Sequence, residues 1–189
     1  WGEINPNGTC GRRFDFEIKG KKYDHKYIYE EIGYNLKPIE LQGAFALAQL
    51  AKLPQFIQKR KQNYLALFNA LKDLKEYFAF PGSHVSEMTS WFAFPLLIKQ
   101  NAGFSREEVL KWLEKDRIET RPLFAGNIIY HPAYTEIDYK KASNLSITDF
   151  IFEKAFFIGV FPGLNHYDLT NIIKSLRTFI QNKEKRFKQ

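Results

Sequence analysis

Residues 39–53 read IELQGAFALAQLAKL, and no other stretch restricts the fold as much. Leu41, Ala44, Phe45, Leu47, Ala48, Leu50 and Ala51 are interrupted only by Gln42, Gln49 and Lys52, so a helix here is apolar on nearly every side. A helix of that kind is expected to be buried all round. Its start is marked by the turn formers Gly33 and Asn35 and by Pro38, whose fixed φ and missing N–H suit the first helical position. Gly43 lowers helix propensity by about 1 kcal/mol against Ala, so its expected use is to let another backbone come close. This helix requires a neighbour, in the same chain or in a second copy.

The rest of the sequence can supply a core. Its 189 residues suffice for one domain with an appendage, and 18 Phe with 10 Tyr exclude a disordered composition. The apolar runs are far shorter than the roughly 20 residues of a membrane span, so none is expected. A single cysteine, Cys10, makes no internal disulfide and fits a reducing, cytoplasmic setting. With 4 His and that one thiol scattered along the chain, no metal site is expected. The net charge of +7 admits nucleic acid, phosphorylated metabolites or a membrane surface without choosing among them.

Along the chain, residues 14–22 alternate like a short strand and carry a hairpin tip at Gly20. Residues 23–32 read as extended. After the apolar helix, Pro54 marks a break, and a second helix over residues 55–74 is expected to bury Ile57, Tyr64, Phe68 and Leu71 while Lys59, Arg60 and Lys61 face water. Strands are expected over 77–80, 91–98, 117–120 and 156–160. Ser105, followed by Glu107 and Glu108, caps a helix burying Val109, Leu110, Trp112 and Leu113, while residues 147–154 and 168–183 form two more. Together these predict an α/β (α+β) arrangement: a small mixed or antiparallel sheet covered on one face by helices, with the apolar first helix packed beneath it.

No complete catalytic constellation is present: there is no Gly-rich phosphate loop, zinc-protease helix or Ser nucleophile elbow. Three polar places in Gly- and Pro-rich segments remain as candidates. Tyr27, Asn35 and Lys37 flank the turn at the start of the apolar helix, where free N–H groups and the helix dipole favour phosphate. Asn35 alone is better explained by satisfying turn backbone. The run ETRPLFAGN places Arg121 and Asn127 on one loop, and Arg pairs naturally with phosphate or carboxylate, although an ion pair with Glu119 fits the spacing as well. The third is Arg12 and Arg13 beside Cys10, with His25 near in sequence; a lone His is more often structural.

The run YEEIGYNLKPIELQGAFALAQLAKLPQFIQKRKQNY closely resembles the start of the small domain in the sugar aminotransferase and dehydrase family named after DegT, DnrJ, EryC and StrS. TCGRRF, YDHKY, ETRPLFAGNII, HPAY and FFIGVFPGL match in order, and resemble the branch of nucleotide-sugar 3-dehydrases of lipopolysaccharide biosynthesis. The resemblance implies the C-terminal part of a fold type I enzyme using pyridoxal or pyridoxamine phosphate, dimeric, with active sites at the subunit interface. Residues 1–36 would end the large domain and reach the dimer contact, and residues 37–189 would form the small domain. Asn35 would reach the cofactor phosphate of the other subunit, Lys37 stands where many members have Arg, and Tyr27 matches an aromatic near the neighbouring site. Arg121, Asn127, Arg12 and His25 would line the side facing the nucleotide-linked 4-keto-6-deoxy sugar.

The family's cofactor-holding residues lie upstream of the matching region and none can be assigned here, so this segment alone is expected to be catalytically silent. Members with a two-iron cluster carry Cys-x-Cys just before the matching TCG; only Cys10 stands here, which counts against an iron–sulfur cluster. The alternatives are an aminotransferase of the same family, separated from a dehydrase only by an upstream Lys or His, and, from another class, a basic nucleic-acid-binding or non-catalytic dimerisation module. The basic residues are spread along the chain, so no nucleic-acid partner is expected.

Overall fold

The computed structural model describes residues 14–29, 31–33, 37–80 and 89–187. β1 (Phe16–Ile18) and β2 (Lys21–Tyr23) form an antiparallel hairpin pairing Phe16 with Tyr23. Lys19 and Gly20 both have positive φ (51° and 76°), the combination that matches a two-residue turn to strand twist. The next segment is not extended as expected: Asp24 accepts a hydrogen bond from the Lys26 N–H (3.1 Å) and caps a 3₁₀ turn over His25–Tyr27. That local bond competes with extended backbone.

α1 (Glu40–Leu50) forms where the sequence predicts it, but its expected burial beneath the sheet is wrong within this chain. All of its residues are exposed, Phe45 by 68% and Leu47 by 71%. Propensity explains the helix; nothing among the described residues covers it. α2 (Leu53–Leu71) begins earlier than expected because Pro54 is accommodated in the first turn. Tyr64 and Leu71 are fully buried as foreseen, joined by Leu67, whereas Ile57 and Phe68 are half-buried. Of the three basic residues expected to face water, Lys59 does, but Arg60 and Lys61 are half-buried. Arg60 donates to the Trp91 and Phe92 carbonyls at 3.3 and 3.0 Å.

The main sheet is antiparallel, in the order β3 (Phe78–Ala79), β4 (Ala93–Ile98), β6 (Ala155–Gly159), β5 (Thr120–Pro122). Register puts Phe94 opposite Ile158 and Leu96 opposite Phe156, and this face is buried against α2, α3 (Arg106–Lys115) and α5 (His166–Phe187). Each such side chain contributes about 1.5–3 kcal/mol when fully removed from water. α5 lays Ile172, Leu176, Phe179 and Ile180 into this core. α4 (Ser146–Lys154) precedes β6 directly, and Phe152 from it packs on Tyr23 (ring centroids 4.6 Å apart).

Ser105 makes a complete capping box at α3: its hydroxyl accepts from the Glu108 N–H (3.2 Å) and the Glu108 carboxylate accepts from the Ser105 N–H (2.8 Å). Trp112 is half-buried against the core, with its indole N–H donating to the Ser175 carbonyl and hydroxyl. After α3 the chain does not enter a strand at residue 117 as expected. Arg117 adopts φ 60°, and the Ile118 and Arg117 N–H groups close on the Leu113 and Glu114 carbonyls, both at 2.9 Å. This is a Schellman ending with Arg117 at the position glycine usually takes. The strand therefore starts later, at Thr120, and carries Arg121, which the sequence had suggested for a loop. Among the described residues no helix is long and apolar enough to cross a membrane.

Candidate functional site

In β5, Arg121 pairs in register with Phe157, whose neighbours Phe156 and Ile158 point into the core. Alternation along the strands thus turns Arg121 to the sheet face away from the helices. There it lines a cleft of about 640 Å³ with Tyr27, Arg117, Glu119, Phe92 and Phe124. Burial opposes the charge on Arg121, but the Glu119 hydrogen bond, the Glu119 charge and a hydrogen bond with the Tyr27 hydroxyl outweigh it and raise its pKa. The ion pair with Glu119 foreseen as an alternative exists, and it is part of the cleft.

Two candidates from distant places in the sequence, Tyr27 and Arg121, are therefore brought together. The others are not. Asn127 is buried, its amide donating to the Asp149 carboxylate (3.1 Å), to which the Tyr130 hydroxyl also donates. It holds the loop to α4 and does not line the cleft of Arg121. His25 is half-buried beside the Phe16 ring, with Nδ1 3.8 Å from the Asp24 carboxylate and no hydrogen-bond partner. Lys37 is exposed just before α1. Asn35 and Arg12 lie outside the described residues. The start of α1 is also less open to an anion than expected, because the Gln42 side chain accepts from the Ile39 N–H at 2.8 Å.

Sequence reasoning missed the residues that shape the cleft. Phe124 has φ 53°, strained for a bulky side chain by about 1 kcal/mol or more, yet is 56% exposed. Phe92, 65% exposed, and Phe124 both lean on the Phe157 ring, with centroids 5.7 and 6.0 Å from it. His131, seen only as part of the HPAY motif, is fully buried: Nδ1 accepts from the Tyr29 N–H (3.2 Å) and Nε2 bonds the Ala125 carbonyl (3.0 Å). Those two bonds fix the neutral tautomer with hydrogen on Nε2, and tie the segment holding Tyr27 to the loop after Arg121. Gly126 (φ 69°) lies so close to Phe152 that a Cβ would stand 2.1 Å from its ring. Its place among Arg121, Pro122 and Asn127 was the available signal that this loop is tightly shaped.

Residues 12–177 match the DegT/DnrJ/EryC1/StrS aminotransferase family. The chain belongs to that family. Among its curated members, the lipopolysaccharide biosynthesis protein RfbH of Salmonella typhimurium is 37% identical over 92% of this chain and 40% of its own length. The dTDP-4-dehydro-2,6-dideoxy-D-glucose 3-dehydratase of Saccharopolyspora spinosa is 36% identical over 95% of this chain and 39% of its own length. The chain thus spans about 40% of the curated relatives it matches. Among solved structures, E. coli GDP-4-keto-6-deoxy-D-mannose-3-dehydratase with bound hydrated PLP superposes with a TM-score of 0.63, at 26% identity, covering 76% of this chain and 36% of that one. The expected class is borne out: the described residues form a mixed α/β fold with small antiparallel sheets, like the matching part of that PLP-bound structure.

Proposed function

We propose that this chain is the C-terminal part of a nucleotide-sugar 3-dehydrase dependent on pyridoxal or pyridoxamine phosphate, removing the C3 hydroxyl of a 4-keto-6-deoxy sugar for lipopolysaccharide synthesis. The observation that carries the reading is the cleft joining Tyr27 to Arg121, residues far apart in sequence to which the family resemblance gives the cofactor and the sugar. The cofactor, when bound, supplies the electron sink that lets the hydroxyl leave. The residues of this chain bind and orient. Lys37 offers an exposed cation beside the α1 terminus, which with Asn35 fits a phosphate, and Tyr27 presents its hydroxyl to the same side as Arg121.

In this reading the protein is a cytoplasmic homodimer. Residues 1–36 end the larger domain and reach the dimer contact, and residues 37–189 form the small domain. α1 supports this because its apolar residues fall into two stripes on opposite sides, Leu41 with Phe45 and Leu47 with Leu50. One stripe faces the rest of the same protein and the other a second copy. A nucleic-acid module is disfavoured by the surface, where Lys21, Lys22, Lys111 and Lys183 are paired with Glu153, Glu107 and Glu108.

A second reading, amino transfer, is supported by 29% identity to the dTDP-4-amino-4,6-dideoxy-D-glucose transaminase of E. coli. One experiment separates them: the intact protein is incubated with pyridoxal phosphate, glutamate and a nucleotide-linked 4-keto-6-deoxy sugar, and the product is weighed by mass spectrometry. Loss of the C3 hydroxyl supports the dehydrase, a 4-amino product the transaminase, and an unchanged sugar contradicts both.

A further inference from the structure

A buried imidazole sits behind the cleft rather than in it. His131 is fully buried, with the Tyr29 ring stacked on it (centroids 5.2 Å apart, 26° between planes) and the Tyr23 ring edge-on at 5.2 Å. It accepts from the Tyr29 N–H through Nδ1 and donates to the Ala125 carbonyl through Nε2. The Ala133 N–H donates to the Tyr29 carbonyl at 3.2 Å, so both backbone polar groups of Tyr29 are bound by one short segment. A polar ring is costly to bury unless its donor and its acceptor are both used, and here one of them reaches a residue 102 positions away.

Each bond stands beside a wall of the cleft. Tyr27, whose hydroxyl meets Arg121, is two residues before Tyr29. Ala125 lies between Phe124 and Gly126, which both have positive φ (53° and 69°), and Phe124 is a wall residue. A bulky residue at positive φ persists only where its surroundings over-determine it. The Phe124 ring is largely exposed, so burial does not hold it, whereas the bond from His131 to the next carbonyl fixes the backbone there.

We propose that His131 is a positioning residue: without lining the cleft itself, it clasps the segment carrying Tyr27 to the loop carrying Phe124, and so sets the contact of Tyr27 with Arg121. This rests on the reading that the cleft belongs to the site where the nucleotide-linked sugar reacts. The clasp requires an acceptor and a donor in fixed relation, not an imidazole as such. The amide of a glutamine carries the two on either side of one carbon, as Nδ1 and Nε2 flank Cε1, whereas a phenylalanine keeps the ring and neither group.

The test compares the intact wild-type protein with His131→Gln and His131→Phe, each below its own melting point. With a nucleotide-linked 4-keto-6-deoxy sugar, His131→Gln should keep kcat/KM within about threefold, and His131→Phe should lose about tenfold or more, chiefly in kcat. Amide hydrogen exchange at Tyr29 should match the wild type in His131→Gln, and in His131→Phe should rise about tenfold beyond any rise in α5. If His131→Phe does not fold, His131→Asn replaces it: its shorter amide reaches Tyr29 but not Ala125, so Tyr29 stays protected and turnover still falls. Wild-type turnover in folded His131→Phe or His131→Asn, or its loss in folded His131→Gln, overturns the clasp. If the wild type itself converts no nucleotide sugar, the dehydrase reading falls and Tyr29 exchange alone decides the clasp: the expected order supports it, and equal exchange in wild type and His131→Phe overturns it.

Discussion

α1 and α5 are both apolar helices, but the sequence distributes that character differently. In α5, Ile172, Leu176, Phe179 and Ile180 form one seam, and all of it is buried between α2, α3 and the sheet. In α1 the apolar residues encircle the helix, and none is covered among the described residues. An amphipathic helix meets its need within its own chain; one apolar all round serves something outside it. The contrast divides the described residues into a self-sufficient core and an uncovered element to which the proposed function gives the role of assembly, and substitutions in the two should behave in opposite ways.

The largest expected difference is in volume loss. Phe156→Ala, in the core, should lower the unfolding free energy of the chain by about 3–5 kcal/mol in urea. Leu47→Ala in α1 should change it by no more than about 0.5 kcal/mol. An equal loss at both positions would show that α1 is packed within the chain after all. Next come the glycines. Gly126→Ala forces a side chain onto positive φ and into the Phe152 ring, which should destabilise by about 3 kcal/mol by the same measurement. Gly43→Ala meets nothing within 4 Å and should stabilise the chain by about 1 kcal/mol through helix propensity, while weakening assembly of the intact protein in sedimentation. Unchanged assembly would remove the close backbone approach proposed for Gly43.

Removing the α3 cap, Ser105→Ala, should cost about 1 kcal/mol in thermal or urea unfolding. The smallest effect is electrostatic. Hydrogen bonds from Lys111 and Lys22 lower the pKa of Glu107, and those from Lys183 and the Ser105 backbone lower that of Glu108. A depressed carboxylate pKa adds stability above the unfolded value, near 4.5, that is lost as pH falls through the folded one. Both groups are well exposed, so the loss is modest. Glu107→Gln with Glu108→Gln should lower stability modestly at pH 7 and flatten the acid limb below pH 4.5, so that variant and wild type converge once the wild-type carboxylates are protonated.

What could be read from the sequence was what is set locally. The Ser105 cap, the 19–20 turn and the strands β4 and β6 depend on residues a few positions apart, and each lies at or close to where it is expected. Where the chain chose between competing local bonds, as at the Asp24 cap and the Arg117 helix ending, an expected extended segment became a turn. The cleft was half legible. Arg121 and Tyr27 were chosen for their chemistry, but that they meet depends on a fold that also takes Asn127 inside and ties His131 to Tyr29. Phe92, Phe124 and Arg117 gave no signal, because exposed aromatics and strained backbone show only in three dimensions.

The central claim is that α1 is covered by a second copy in the working protein. Amide hydrogen exchange of Glu40–Leu50 in the intact protein, compared at high concentration and after dilution below the dimer dissociation constant, tests it most directly. The account predicts protection approaching that of α5 in the dimer and a marked fall on dilution, while α5 stays unchanged. Fast exchange in α1 at every concentration, or protection that dilution does not touch, would contradict it.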